Sequence, residues 1–241
     1  MNNPILLAAY ALLLIFTLAP VATAQTAADD TASTTQAEAQ TEAAAQAEAE
    51  AAAQAEAEDQ AKVAGASAVI DGFHNSLIDI LKRSDELGMQ GRTDELYPIL
   101  QKHMNVLALG IGAVGKRNWN SWETEQQDLF IDVFTRFMAS TYASRFKEFN
   151  NQEFRIVGDR AGPRSSVIIM TEVHSKLPDV VNIHYLMINR NDAWAIADIF
   201  LDGAISEVAM RRSDFSGILR TEGFDALITA VDNKTAARLS Q

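Results

Sequence analysis

The sequence predicts an α+β domain: helices packed on a curved, four-stranded antiparallel sheet. Three observations carry that expectation. Apolar residues recur every three or four positions between Val69 and Tyr142, four strand-like runs follow between Phe154 and Leu201, and residues that favour turns separate those runs. If the sheet coils, helices laid across one face close a cone with an apolar cavity inside.

Residues 1–24 come first, with a continuous apolar run from Ile5 to Leu18, then Pro20 and Ala22-Thr23-Ala24. This is the layout of a secretory leader cut after Ala24. The alternative is an uncleaved anchor, for which the run is short of the roughly 20 residues that span a bilayer. Residues 25–62 change to alanine, glutamate, glutamine and threonine without glycine, proline or aromatic side chains. With no large apolar residue to bury, a fraying helix or a disordered stalk is expected, acting as a solvated spacer. The formal charge of −12 is carried mostly there: residues 25–62 hold −8, leaving −4 for the domain of residues 63–241. The absence of cysteine excludes a disulfide framework and thiolate chemistry. Net negative charge without a basic stripe argues against nucleic-acid binding.

Within the domain, Val69, Ile70, Phe73, Leu77, Ile80 and Leu81 mark an amphipathic helix ending near Gly88. Thr93 is the expected N-cap of a short second helix with Pro98 in its opening turns. Val106–Gly115 holds three glycines, Gly110, Gly112 and Gly115, in an apolar run. They suit either tight helix packing or a supple wall for a cavity. Ser121 is the expected cap of the longest helix, whose stripe includes Phe130, Val133, Phe134, Phe137, Met138 and Tyr142 and which ends near Phe149. The strands are expected at 154–157, 165–174, 180–189 and 193–201, joined by Ala161-Gly162-Pro163, Leu177-Pro178-Asp179 and Asn191-Asp192. The last strand reads as buried on both sides, with Trp194, Ile196 and Phe200 on one face and Ile199 and Leu201 on the other. Asp202-Gly203 breaks it, and Ile205, Val208 and Ala209 return at helical spacing. Gly223 ends that helix, and 224–233 forms a last one with Leu227 and Ile228 inward.

Trp194-Ala195-Ile196-Ala197-Asp198-Ile199, Asp202-Gly203, Ser206, Arg212-Ser213-Asp214-Phe215, Ile218-Leu219 and Gly223-Phe224-Asp225-Ala226-Leu227-Ile228 together resemble the C-terminal signature of the MlaC, or toluene-tolerance, family. Thr141-Tyr142-Ala143 is similar to that family's central helix. Two residues lie between Gly203 and Ser206 where the commoner pattern has one, and with Arg211-Arg212 this is more similar to the hopanoid-associated HpnM-like subgroup. The resemblance implies a periplasmic phospholipid carrier of an ABC-transport system that maintains outer-membrane lipid asymmetry. Such a carrier passes single lipids between an outer-membrane lipoprotein complex and the inner-membrane MCE-domain subunit of the transporter. A hopanoid is the alternative cargo.

Carriage of a two-chain lipid has a physical requirement. About 30 methylenes at roughly 0.8 kcal/mol each make a barrier above about 20 kcal/mol to crossing water unsheathed. On the family likeness, the residues expected to form the sheath are Phe134, Phe137, Met138, Ile169, Met187, Ile196, Ala204, Ile205 and Val208, each of which taken singly reads first as ordinary core. Arg211 and Arg212 are placed at a headgroup rim, or else pair with Asp214 or Glu207. A carrier docking at two membranes in turn is expected to be a monomer without a cofactor.

Two rival readings use other residues. An enzyme of the NTF2-like cone would rely on Asp198 as a buried general base, though a structural acceptor of hydrogen bonds fits the same aspartate. Glu172, His174, Asn182 and His184 fall on one face of a hairpin and would hold zinc if a turn near Asp179 brought the histidines together; an exposed polar face explains them too. A tethered interaction module would have a filled, dry core and no ligand.

Overall fold

The computed structural model describes residues 29–176, 178–191 and 193–240. The expected leader lies outside them, as do Leu177 and Asp192 of two expected turns. The chain forms two units, divided between Gln54 and Ala55. In the first, the described residues are helical, and those from residue 40 onward are exposed, as alanine and glutamate with nothing to bury require.

The second unit holds the end of α1 (Asp29–Lys82), α2 (Ser84–His103), α3 (Val106–Val114), α4 (Lys116–Trp119) and α5 (Thr124–Arg145). Then come β1 (Glu153–Ala161), β2 (Val167–His174), β3 (Val181–Arg190), β4 (Ala193–Leu201), β5 (Ile205–Ser206), α6 (Glu207–Thr221) and α7 (Phe224–Leu239). The strands form a single antiparallel meander in the order β1-β2-β3-β4-β5, with β1 and β5 as open edges. Among the described residues it therefore has five strands rather than the four expected, and it does not close.

The extra strand comes from Asp202-Gly203. Both residues have positive φ, 49° and 70°, and Ala204 N donates to Leu201 O at 3.1 Å. Consecutive positive φ is the hand of turn that suits a hairpin's twist. The chain thus folds back to pair Leu201 with Ile205 and Phe200 with Ser206 instead of leaving the sheet as a helix. The helix starts later, at Glu207, capped by the Ser206 hydroxyl accepting from Ala209 N.

β4 departs from the two-sided burial read in its sequence. A bulge at the β3 pairing, where Leu186 meets Asp198 but Met187 meets Ile196, inserts Ala197 as an extra residue. Ile196 and Ile199, three apart, consequently both enter the core, with Trp194 and Leu201 packed beside them. Phe200 is turned to the other face, half-buried.

Helix limits also shift. The break at Gly88, φ 58°, lies within α2, so Thr93 is interior and its hydroxyl donates to Met89 O; Pro98 is interior as well. Glu123, not Ser121, caps α5 through a capping box with Gln126, and Ser121 donates to Asn118 O. α5 ends at Arg145, and α7 runs on to Leu239 with Leu227, Val231 and Thr235 buried and Ile228 half-buried. The glycines of α3 serve close packing: a Cβ on Gly112 would fall 2.5 Å from Val208 Cγ1 of α6, and one on Gly110 would fall 2.8 Å from Ile131 Cδ1 of α5.

Candidate functional site

Six of the nine expected lining residues lie in one buried apolar cluster: Phe134, Phe137 and Met138 from α5, Ile169 from β2, Met187 from β3 and Ile196 from β4. Aromatic rings extend it, with Phe130 stacked on Phe134 at 5.4 Å and Phe215 of α6 meeting Phe134 and Phe137 edge-on, each at 6.3 Å. Val208 is half-buried against this cluster, while Ala204 and Ile205 are exposed on the β4–β5 hairpin. A surface depression of about 550 Å³ sits elsewhere, among Tyr97, Gln101, Leu107, Trp119, Gln127, Asp128, Ile131 and Asp132.

Asp198 has a structural post. It accepts from Ser206 Oγ at 2.5 Å, Ile199 N at 2.7 Å and Val208 N at 3.2 Å, tying β4 to the hairpin and to the first turn of α6. Burial pushes its pKa up, and the three donors pull against that shift. The two β-strand histidines do not meet. The register pairs Met170 with His184 and Val173 with Val181, which centres the hairpin two residues earlier than a turn at Asp179 requires. His174 instead bonds Glu172 on its own strand at 2.8 Å, and His184 lies against Gly203. Among the described residues no group of three potential ligands is placed to hold a metal.

Another histidine, not singled out in the sequence, is more deeply placed. His74 of α1 stacks on Phe154 with ring centroids 4.2 Å apart, and its Nε2 lies 3.0 Å from the Tyr185 hydroxyl. Burial pushes its pKa down to about 3, so it is neutral at physiological pH. Burial raises the Tyr185 phenol in turn.

Three helices bring charged groups beside the apolar cluster. Arg145 at the end of α5 pairs with Glu207 of α6 at 2.5 Å, and Glu207 is nearly buried. Arg211 pairs with Asp214 at 3.3 Å, and its guanidinium lies 5.1 Å from the Phe137 ring centroid. Arg238, near the end of α7, lies 4.7 Å from that same centroid. Of the two arginines expected at a rim, only Arg211 is here; Arg212 is exposed and near Gly115. Arg145 and Arg238 escaped the sequence reading because their partners lie 62 and 98 residues away, as Glu207 and Ser140.

The family model described as MlaC protein matches residues 71–233, two-thirds of the chain. The chain belongs to the MlaC family. The matched span runs from α1 through the whole sheet into α7, so in this MlaC-family chain it includes all nine residues that the sequence reading expected to line a site. A phospholipid-binding protein from Ralstonia solanacearum, solved in complex with a phospholipid, is similar in structure, with a TM-score of 0.62 over 73% of this chain and 99% of its own, at 19% identity. At that identity the likeness is one of fold. No curated protein matches the chain by sequence.

Proposed function

We propose that this protein is a phospholipid-binding carrier that moves single lipids across the periplasm between outer-membrane and inner-membrane components of an ABC lipid-transport system. Membership of the MlaC family over residues 71–233 is the observation that carries the reading. The phospholipid complex of the similarly folded Ralstonia solanacearum protein supports it. The buried cluster to which α5 and the sheet both contribute is the apolar environment that two acyl chains require. Binding rather than catalysis fits Asp198, whose carboxylate is already engaged by three donors.

In this reading residues 1–24 act as the export signal and residues 25–62 as a spacer ahead of the lipid-binding domain. The partners are the MCE-domain subunit at the inner membrane and a lipoprotein complex at the outer one. A hopanoid remains the second cargo, favoured by the two-residue spacing between Gly203 and Ser206 that makes up part of the β4–β5 hairpin.

The test is to purify the full chain without harsh detergent, extract it with organic solvent and identify the bound lipid by mass spectrometry. Near-stoichiometric diacyl phospholipid is the expected result. A hopanoid in its place keeps the carrier and changes the cargo, and absence of any lipid under gentle handling overturns the proposal.

A further inference from the structure

We propose that Arg211 and Arg238, which both lie against the ring of Phe137, form with Arg145 the seat for the phosphate of a lipid headgroup. The assignment rests on the carrier reading and adds to it the group that the protein recognises. Three helices supply the arginines, and two of the guanidiniums converge on a single ring at 5.1 and 4.7 Å. A guanidinium on an aromatic face keeps its N–H edge free, and that edge matches phosphate oxygens in a forked geometry.

The local charge is unbalanced in the direction an anion would correct. Glu207 answers Arg145 and Asp214 answers Arg211. Arg238 bonds neutral oxygens, Lys234 O at 3.2 Å and Ser140 Oγ at 3.5 Å. Half-burial and repulsion from Arg211 and Arg145 lower its pKa, although an arginine stays protonated. A phosphodiester placed among the three relieves that repulsion. The Arg211–Asp214 pair is a long one between residues three apart, with Asp214 well exposed, so it competes weakly.

Position completes the argument. Phe137 is fully buried and meets Phe215 in the apolar cluster, so a phosphate above its ring leaves the attached acyl chains at that cluster's edge. Arg145 remains over one-third exposed, which gives the headgroup a route from water. Any phospholipid offers the phosphodiester, so the seat would select for phosphate and tolerate different headgroup alcohols.

The full chain is incubated with phosphatidylcholine vesicles doped either with acyl-labelled phosphatidylglycerol or with the equally labelled diacylglycerol, and the label bound to protein is measured after separation. The native chain is expected to capture the phosphate-bearing lipid at least tenfold better. Arg238→Gln and Arg211→Gln should each lose about tenfold of that capture with diacylglycerol capture unchanged, since a charge-assisted bond is lost. Arg238→Lys should keep part of it, and thermal melts check that each variant folds. Equal capture of the two lipids by the native chain, or full discrimination by Arg238→Gln, overturns the seat while leaving the carrier. Capture of neither lipid by the native chain overturns both. A final arm uses inorganic phosphate alone: stabilisation by millimolar phosphate that Arg238→Gln abolishes, together with unchanged lipid discrimination, would assign the arginines to free phosphate and overturn the headgroup assignment.

Discussion

Gly112→Ala tests how α6, which carries Glu207 and Arg211, is held in place. A Cβ at this position would fall 2.5 Å from Val208 Cγ1, well inside van der Waals contact. Val208 is β-branched and in a helix, where a single χ1 rotamer is strongly preferred, so it cannot simply swing away. Overpacking of this kind costs roughly 1–3 kcal/mol, whereas replacing a helical glycine by alanine gains about 1 kcal/mol. The net expectation is a loss of about 0–2 kcal/mol. Val208→Ala removes the opposing methyls, and on that background Gly112→Ala should become stabilising by about 1 kcal/mol. The quantity to measure is the coupling in a double-mutant cycle by urea unfolding, expected at about 1–3 kcal/mol. A coupling under about 0.5 kcal/mol, or a Gly112→Ala variant equally stabilised on both backgrounds, would refute close packing as the reason for this glycine.

Acid sensitivity should follow His74. Its folded pKa of about 3 lies below the ordinary histidine value, so the unfolded chain takes up the proton first; stability is full above about pH 6.5 and falls as pH drops toward 3, by about 1.4 kcal/mol per unit from this group. His103 and His184, also lowered by burial, act in the same direction. His74→Gln should flatten the curve, and an unchanged slope would exclude His74 as its source. Asp198→Asn should destabilise the fold by about 1–3 kcal/mol, by weakening the acceptor shared by Ser206, Ile199 and Val208, while the folded fraction captures lipid normally; a folded variant that no longer handles lipid would reopen a chemical role. Arg145→Gln should cost about 1–3 kcal/mol because Glu207, nearly buried, loses its cation. Thermal melts showing no loss would mean that the pair is replaced by water.

The sequence was most informative where local rules act alone. Helices before a meander, the strand at 193–201 and the stripe on α5 were legible from period and turn residues, because each element has an apolar face to bury. Asp202-Gly203 was legible only as the end of that strand, because the apolar residues after it imitate a helix; β5 won because the β4 edge offered unpaired backbone groups. Only the tertiary structure decided the rest. The bulge that brings Ile196 and Ile199 to one face depends on β3, the His74–Tyr185 contact spans 111 residues, and Arg211 and Arg238 reach the one Phe137 ring because α6 and α7 pack beside α5. Period and turn chemistry are properties of neighbouring residues and can be read in one chain; which distant charges share a low-dielectric corner is fixed by packing, and no local pattern encodes it.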